Sequence, residues 1–192
     1  MSDANWPVNH KHHSLTRLEN RLRLFHFSEE DHIERFKPRV KANRTDMPPV
    51  VWAIDDEHQF MFFFPRNCPR IVYRKSQQVQ EQDEAKFFGN TAANTIITVE
   101  THWYSRIINT TLYRYEFPTE SFILFDETAG YYISREAVKP INKIAINNGL
   151  ERLMDMNVEV RFTPNLYPVR DQLLESSIDD FGIHRFEHAV QL

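Results

Sequence analysis

Apolar residues along this chain fall in short runs bounded by proline, asparagine and acidic residues, a pattern of strands more than of long helices. Residues 22–27 carry Leu22, Leu24, Phe25 and Phe27 and read as a first strand. Ser28 then suits a helix N-cap, with Glu29, Glu30 and Asp31 in the first turn and Ile33 and Phe36 as an apolar stripe. A helix is therefore predicted from Ser28 to Pro38. Pro48 and Pro49 keep the chain extended into residues 50–54, a nearly continuous apolar strand expected to be buried on both faces. Asp55 caps a second predicted helix, which Pro65 stops after Phe64. Further strands are predicted at 71–73, 95–100, 111–117, 121–126, 130–134, 142–146 and 158–162, and helices at 101–109, 148–156 and 165–177. Residues 74–94, rich in Gln and Glu, give either a flexible excursion or a short helix. The tail from Phe181 adds one edge strand.

Strands and helices mix without regular βα alternation. That predicts an α+β fold: one domain over 21–192, with a mostly antiparallel or mixed sheet and helices packed against it. Residues 22–27, 50–54 and 112–117 are expected in one sheet. Residues 1–20 are polar and aperiodic, and are expected to form a flexible extension with His10, His12 and His13 as solvated side chains.

The net charge of -4 argues against general nucleic-acid binding, without excluding a local basic patch. One cysteine, Cys68, excludes an internal disulfide and fits a reducing cytoplasm. No run nears the ~18 apolar residues of a membrane span, and the first residues lack a secretory pattern. With 4 glycines, Gly-rich phosphate loops are absent.

Candidate chemistry gathers first around His26 and Ser28, where a strand hands over to polar residues. Arg66 and Arg70 lie on a proline-bounded turn and read as phosphate clamps or as surface charges. Trp52 and Trp103 read as ring platforms or as core. Asp55 reads as a site carboxylate or a cap. Cys68 has no base nearby and reads as a structural thiol. His32, His58 and His102 lack metal-ligand spacing. In a strand, Tyr132, Ser134 and Glu136 share one face.

Seven phrases in order resemble an uncharacterised family of bacterial proteins: LFHFSEE at 24–30, PPVVWAIDDEH at 48–58, FPRNCPR at 64–70, HWYSR at 102–106, LYRYEFP at 112–118, GYYISRE at 130–136 and VEVRFTPNLYP at 158–168. The opening strand with His26 and the VWAID strand also resemble the start of ADP-ribosyltransferase-like domains. That resemblance implies an NAD or adenine-nucleotide ligand. It gives His26 to the ribose, Tyr131 and Ser134 to the nicotinamide and Glu136 to the ribose hydroxyl, with His26 and Glu136 as the catalytic residues; the residues themselves add Ser28, Arg66 and Tyr132 as ligand contacts of the same cleft, with Ser134. Its two functional outcomes are transfer of ADP-ribose and a non-catalytic ligand-binding or interaction module on the same scaffold.

Overall fold

A computed structural model describes residues 22–41 and 47–191. The predicted extension over 1–20, with its histidines, lies outside the described residues.

Two sheets organise the chain. The first holds β1 (Leu24–Ser28), β2 (Val51–Asp55), β5 (Leu112–Phe117), β6 (Ile123–Asp126), β7 (Tyr131–Ser134) and β8 (Asn142–Ile146), in the order β6-β7-β2-β1-β5-β8. The second holds β3 (Arg70–Arg74), β4 (Thr95–Glu100), β9 (Val158–Thr163) and β10 (Phe181–His184), in the order β10-β3-β4-β9. Neighbours pair antiparallel except β4 with β9, which run parallel. The α+β expectation holds, and the three strand runs named for one sheet are β1, β2 and β5 of the first.

Alternation along the strands sets the layers. Phe25, Ile54, Val72, Ile97 and Val99 fill the space between the sheets, joined by Phe60, Phe63 and Phe64. Ile107 from α2 (Tyr104–Asn109) and Leu153 from α3 (Gly149–Asp155) reach the same layer. Leu24, Val51, Ala53, Tyr115 and Phe117 point to the outer side of the first sheet, where Phe36, Phe122 and Val138 cover them. Over the second sheet, α1 (Glu81–Phe87) and α4 (Tyr167–Leu174) bring Phe87 and Leu173 onto Ile71, Tyr73 and Ile96. The uncertain stretch at 74–94 thus contains a short helix.

Three expectations are corrected. No helix follows β1. Ser28 Oγ accepts the Glu30 N–H at 3.1 Å, a side-chain turn, and the chain then crosses the outer face extended, with bridges Phe36–Val138 and Arg39–Val50. So short a segment gains little as a helix, and burying Phe36 among rings outweighs its capping signals. The helix predicted from Asp55 is only a 3-10 turn at Gln59–Phe62, because Gln59, Phe60, Met61, Phe63 and Phe64 are all buried, and a run with so many neighbouring buried positions does not fit a single helical stripe. Trp52 is half-buried rather than covered on both faces.

Glu100 is a fully buried carboxylate at the end of β4. Its Oε1 accepts the N–H of Leu166 at 3.3 Å and of Val190 at 3.0 Å, tying the start of α4 and the C-terminal tail to the second sheet. At the far edge of the first sheet, Ile123 and Leu124 of β6 are 59% and 50% exposed. No helix among the described residues is long and apolar enough to cross a membrane.

Candidate functional site

His26, Tyr132 and Ser134 share the outer face of the first sheet: β1 pairs with β2, β2 with β7, and each side chain stands in step with Val51 and Ala53. The His26 ring lies beneath Phe36, with centroids 4.8 Å apart, and its Nδ1–H donates to the Trp52 carbonyl at 3.0 Å. Burial lowers its pKa, so it is neutral. Tyr132 is half-buried, and desolvation raises its phenol pKa. Ser134 is buried; its Oγ bonds Ser121 Oγ and accepts the Glu136 N–H, each at 3.1 Å. Glu136 is exposed at the bend after β7. Ser28 Oγ serves its turn. Arg66 is exposed, and its backbone N–H donates to Glu29 Oε1 at 2.6 Å, beside Arg106. Four of the six residues thus stand on one face, since Ser28 ends β1 two residues beyond His26, while Arg66 and Glu136 lie on separate loops.

A different group forms between the sheets, where β3 and β10 face β2 and β7. Arg70 and His184 are direct cross-strand partners, with Cβ atoms about 5 Å apart by strand geometry. Both stand on the inner face with Val72. Arg70 is only 5% exposed. Its Nε donates to the Met61 carbonyl at 2.7 Å and its Nη1 to the Cys68 carbonyl at 2.9 Å. Phe62 and Phe64 flank the guanidinium, at 5.8 and 5.4 Å from the ring centroids. No carboxylate among the described residues pairs with it. Burial brings its pKa down to about 10, still well above neutrality, so a charge stays inside the protein.

His184 continues the group. Its Nε2 is buried without a hydrogen-bond partner. Burial first, then Arg70, Arg185 and Lys41, push the imidazole pKa down to about 3. Gly182 makes room for it: a Cβ there would lie 2.7 Å from Nε2. A row of rings leads from it towards the surface. His184 meets Phe62, Phe62 meets Tyr131, Tyr131 meets Trp52, and Trp52 meets Phe125, with centroids from 5.1 to 6.4 Å apart. The Trp52 indole Nε1 is also buried and unpartnered. Lys41 Nζ lies 3.7 Å from the Trp52 ring centroid, and Arg185 is exposed at the rim. In this group Arg70 has no carboxylate partner among the described residues, and two ring nitrogens, His184 Nε2 and Trp52 Nε1, are buried without a hydrogen-bond partner.

Other clusters are internally satisfied. His58 Nδ1 bonds Asp55 Oδ1 at 2.8 Å, and Arg74 stands at 3.4 Å from His58 Nε2 while also pairing with Glu57. A groove of about 220 Å³ beside α3 mixes Arg114, Arg152 and Asp155. Among the described residues no group of three or more His, Cys, Asp and Glu is placed to hold a metal.

Arg70 and Trp52 were both weighed from the sequence as ligand contacts. His184, Arg185 and Lys41 were not: FGIHR sits in a tail whose pairing with β3 carries no local signal.

Residues 25–189 match the model of a family of unknown function, DUF6886. No curated protein and no solved structure matches the chain.

Proposed function

The chain belongs to DUF6886, whose function is unknown, and we propose from the site itself that it is a binding protein for a phosphorylated ligand of the nucleotide class. The phosphate lies against Arg70 and His184, and the base rests on the rings of Trp52 and Phe125. One observation carries the reading: a buried guanidinium has only two backbone carbonyls for acceptors, next to an unpartnered imidazole nitrogen. An uncompensated buried charge costs several kcal/mol, by the usual scale for ions taken out of water. A bound anion offsets that cost, and Arg is suited to phosphate because its fork is planar. The partly exposed Phe125 and half-buried Trp52 supply a ring surface beside the charge.

A thermal-shift series with NAD, ADP-ribose, AMP and adenosine tests this. A ligand at about 100 times its dissociation constant adds roughly 2.7 kcal/mol of stability. The phosphorylated compounds should raise the melting temperature, adenosine should not, and Gly182→Ala should erase the rise by displacing the His184 ring. An equal rise with adenosine, or none with any compound, overturns the reading.

A second reading, ADP-ribose transfer through His26 and Glu136, draws on the shared face of His26, Tyr132 and Ser134. It requires residues 29–40 to lift from that face so that Phe36 uncovers His26. NAD consumption lost in His26→Ala and in Glu136→Gln would favour it.

A further inference from the structure

We propose that the groove beside α3 binds a free α-amino acid with an apolar side chain. The site is separate from the one at Arg70. On the inner face of the first sheet Arg114 of β5 and Ile144 of β8 are cross-strand partners, and Ile146 follows two residues on. Arg152 and Asp155 of α3, with Met156 just after it, line the same cavity of about 220 Å³. Arg114 is fixed in advance. Its Nη1 donates to Gln59 Oε1 at 2.6 Å, and its guanidinium lies 4.4 Å from the Phe25 ring centroid. Gln59 is buried and is itself held, because its Nε2 donates to the Asp56 carbonyl at 3.0 Å and to Asp56 Oδ1 at 2.9 Å. A guanidinium gripped on two sides presents its remaining N–H groups without a further ordering cost.

Charge and wall chemistry choose the ligand. Arg23, Arg114 and Arg152 meet Asp56, Glu116 and Asp155 here. Arg23 donates twice to Glu116 and lies 3.8 Å from Asp56. The signs balance, so a ligand with a net charge would upset the set and a zwitterion would not. In the groove itself the opposite charges stay apart: among the described residues neither Arg114 nor Arg152 forms an ion pair with Asp155. A free amino acid sets its carboxylate against the two guanidinium groups and its ammonium against Asp155. Phe63 and Ile146 are buried, and with Met156 they give its side chain an apolar wall. The cavity is smaller than the ~300–1,000 Å³ of sites for drug-sized molecules, which suits an amino acid better than a nucleotide.

Titration calorimetry on the full chain with L-leucine, L-isoleucine and L-methionine tests the site. At least one should bind. Analogues of the tightest binder that lack its ammonium or its carboxylate (for leucine, 4-methylpentanoate and 3-methylbutylamine) should each bind roughly tenfold or more weakly, the scale of one charged hydrogen bond. Arg152 and Asp155 are exposed, so substitutions there leave the core intact. Arg152→Gln should weaken the amino acid several-fold. Asp155→Asn should weaken the amino acid and not the analogue without an ammonium, a difference that a merely structural role would not produce. Binding by none of the three amino acids, equal binding of the amino acid and either analogue, or affinities indifferent to both substitutions overturns the proposal. The nucleotide reading is tested separately by its own thermal-shift series.

Discussion

Arg70 concentrates the argument at the scale of one residue. Its Nε and Nη1 reach two different carbonyls, those of Met61 and Cys68, so its planar fork fixes the 3-10 turn and the proline-bounded turn at once. A lysine keeps the charge and cannot span both acceptors in this geometry. Arg70→Lys should therefore lower stability by about 1.5–3 kcal/mol, the usual worth of a charged hydrogen bond, and weaken AMP binding as well. Urea unfolding read alongside calorimetry checks this; a variant with unchanged midpoint and unchanged affinity would mean the fork is idle. At this scale the sequence was half legible. FPRNCPR marked Arg66 and Arg70 equally, since both are arginines flanked by proline. Strand alternation then separates them: Arg70 opens β3 and turns inward with Val72, while Arg66 stays on the exposed turn.

Among the elements, the junction of β2 with the β6–β7 hairpin is closely packed. Gly130 has φ +66°, and a Cβ there would stand 2.2 Å from His58 Nδ1 and 2.7 Å from Asp55 Oδ1. The Asp55 N–H donates to the Gly130 carbonyl at 3.0 Å. Gly130→Ala should cost more than ~1 kcal/mol, since both the backbone and the packing resist it. A denaturation midpoint at the wild-type value would show that the hairpin relaxes freely. The elements themselves were mostly legible, because period-two alternation in 112–117 and turn residues around 130–134 are local signals. The helix after Ser28 was not. Its cap, acidic first turn and Phe36 all argue for a helix, yet Phe36 packs against Tyr115 and Phe117, which come from far along the chain. Tertiary contact decided, and no local pattern encodes it.

Across the molecule, three histidines give stability a direction with pH. His58 has its pKa raised above 6.5, chiefly by the hydrogen bond to Asp55, so its contribution is full below 6.5 and fades as pH rises through the raised value. His26 and His184 are lowered, chiefly by burial. Their contribution is present above 6.5 and is lost as pH falls below it, for His184 down to about 3. Acidification from pH 6.5 to 4.5 should lower the urea midpoint, and His184→Gln should flatten that decline. A slope identical in wild type and variant would place the titration elsewhere. The two-sheet arrangement was legible only as α+β. Which strands share a sheet, and that β4 and β9 run parallel, follow from long-range pairing that composition cannot reveal.

The buried Glu100 has a consequence for how the chain comes into being. A growing polypeptide emits β4 with its carboxylate long before Val190 exists to donate to it. Until then the acid has lost one of its two backbone donors and can stay hydrated only by keeping that end of the second sheet open. β3 is in the same position, because its outer neighbour β10 is made long after it. Completion of the C-terminal residues therefore closes a structure begun near the middle of the chain. A translation product cut short before Val190 is less a smaller version of this protein than an unfinished one, with a buried carboxyl group and a bare strand edge waiting for the same missing residues.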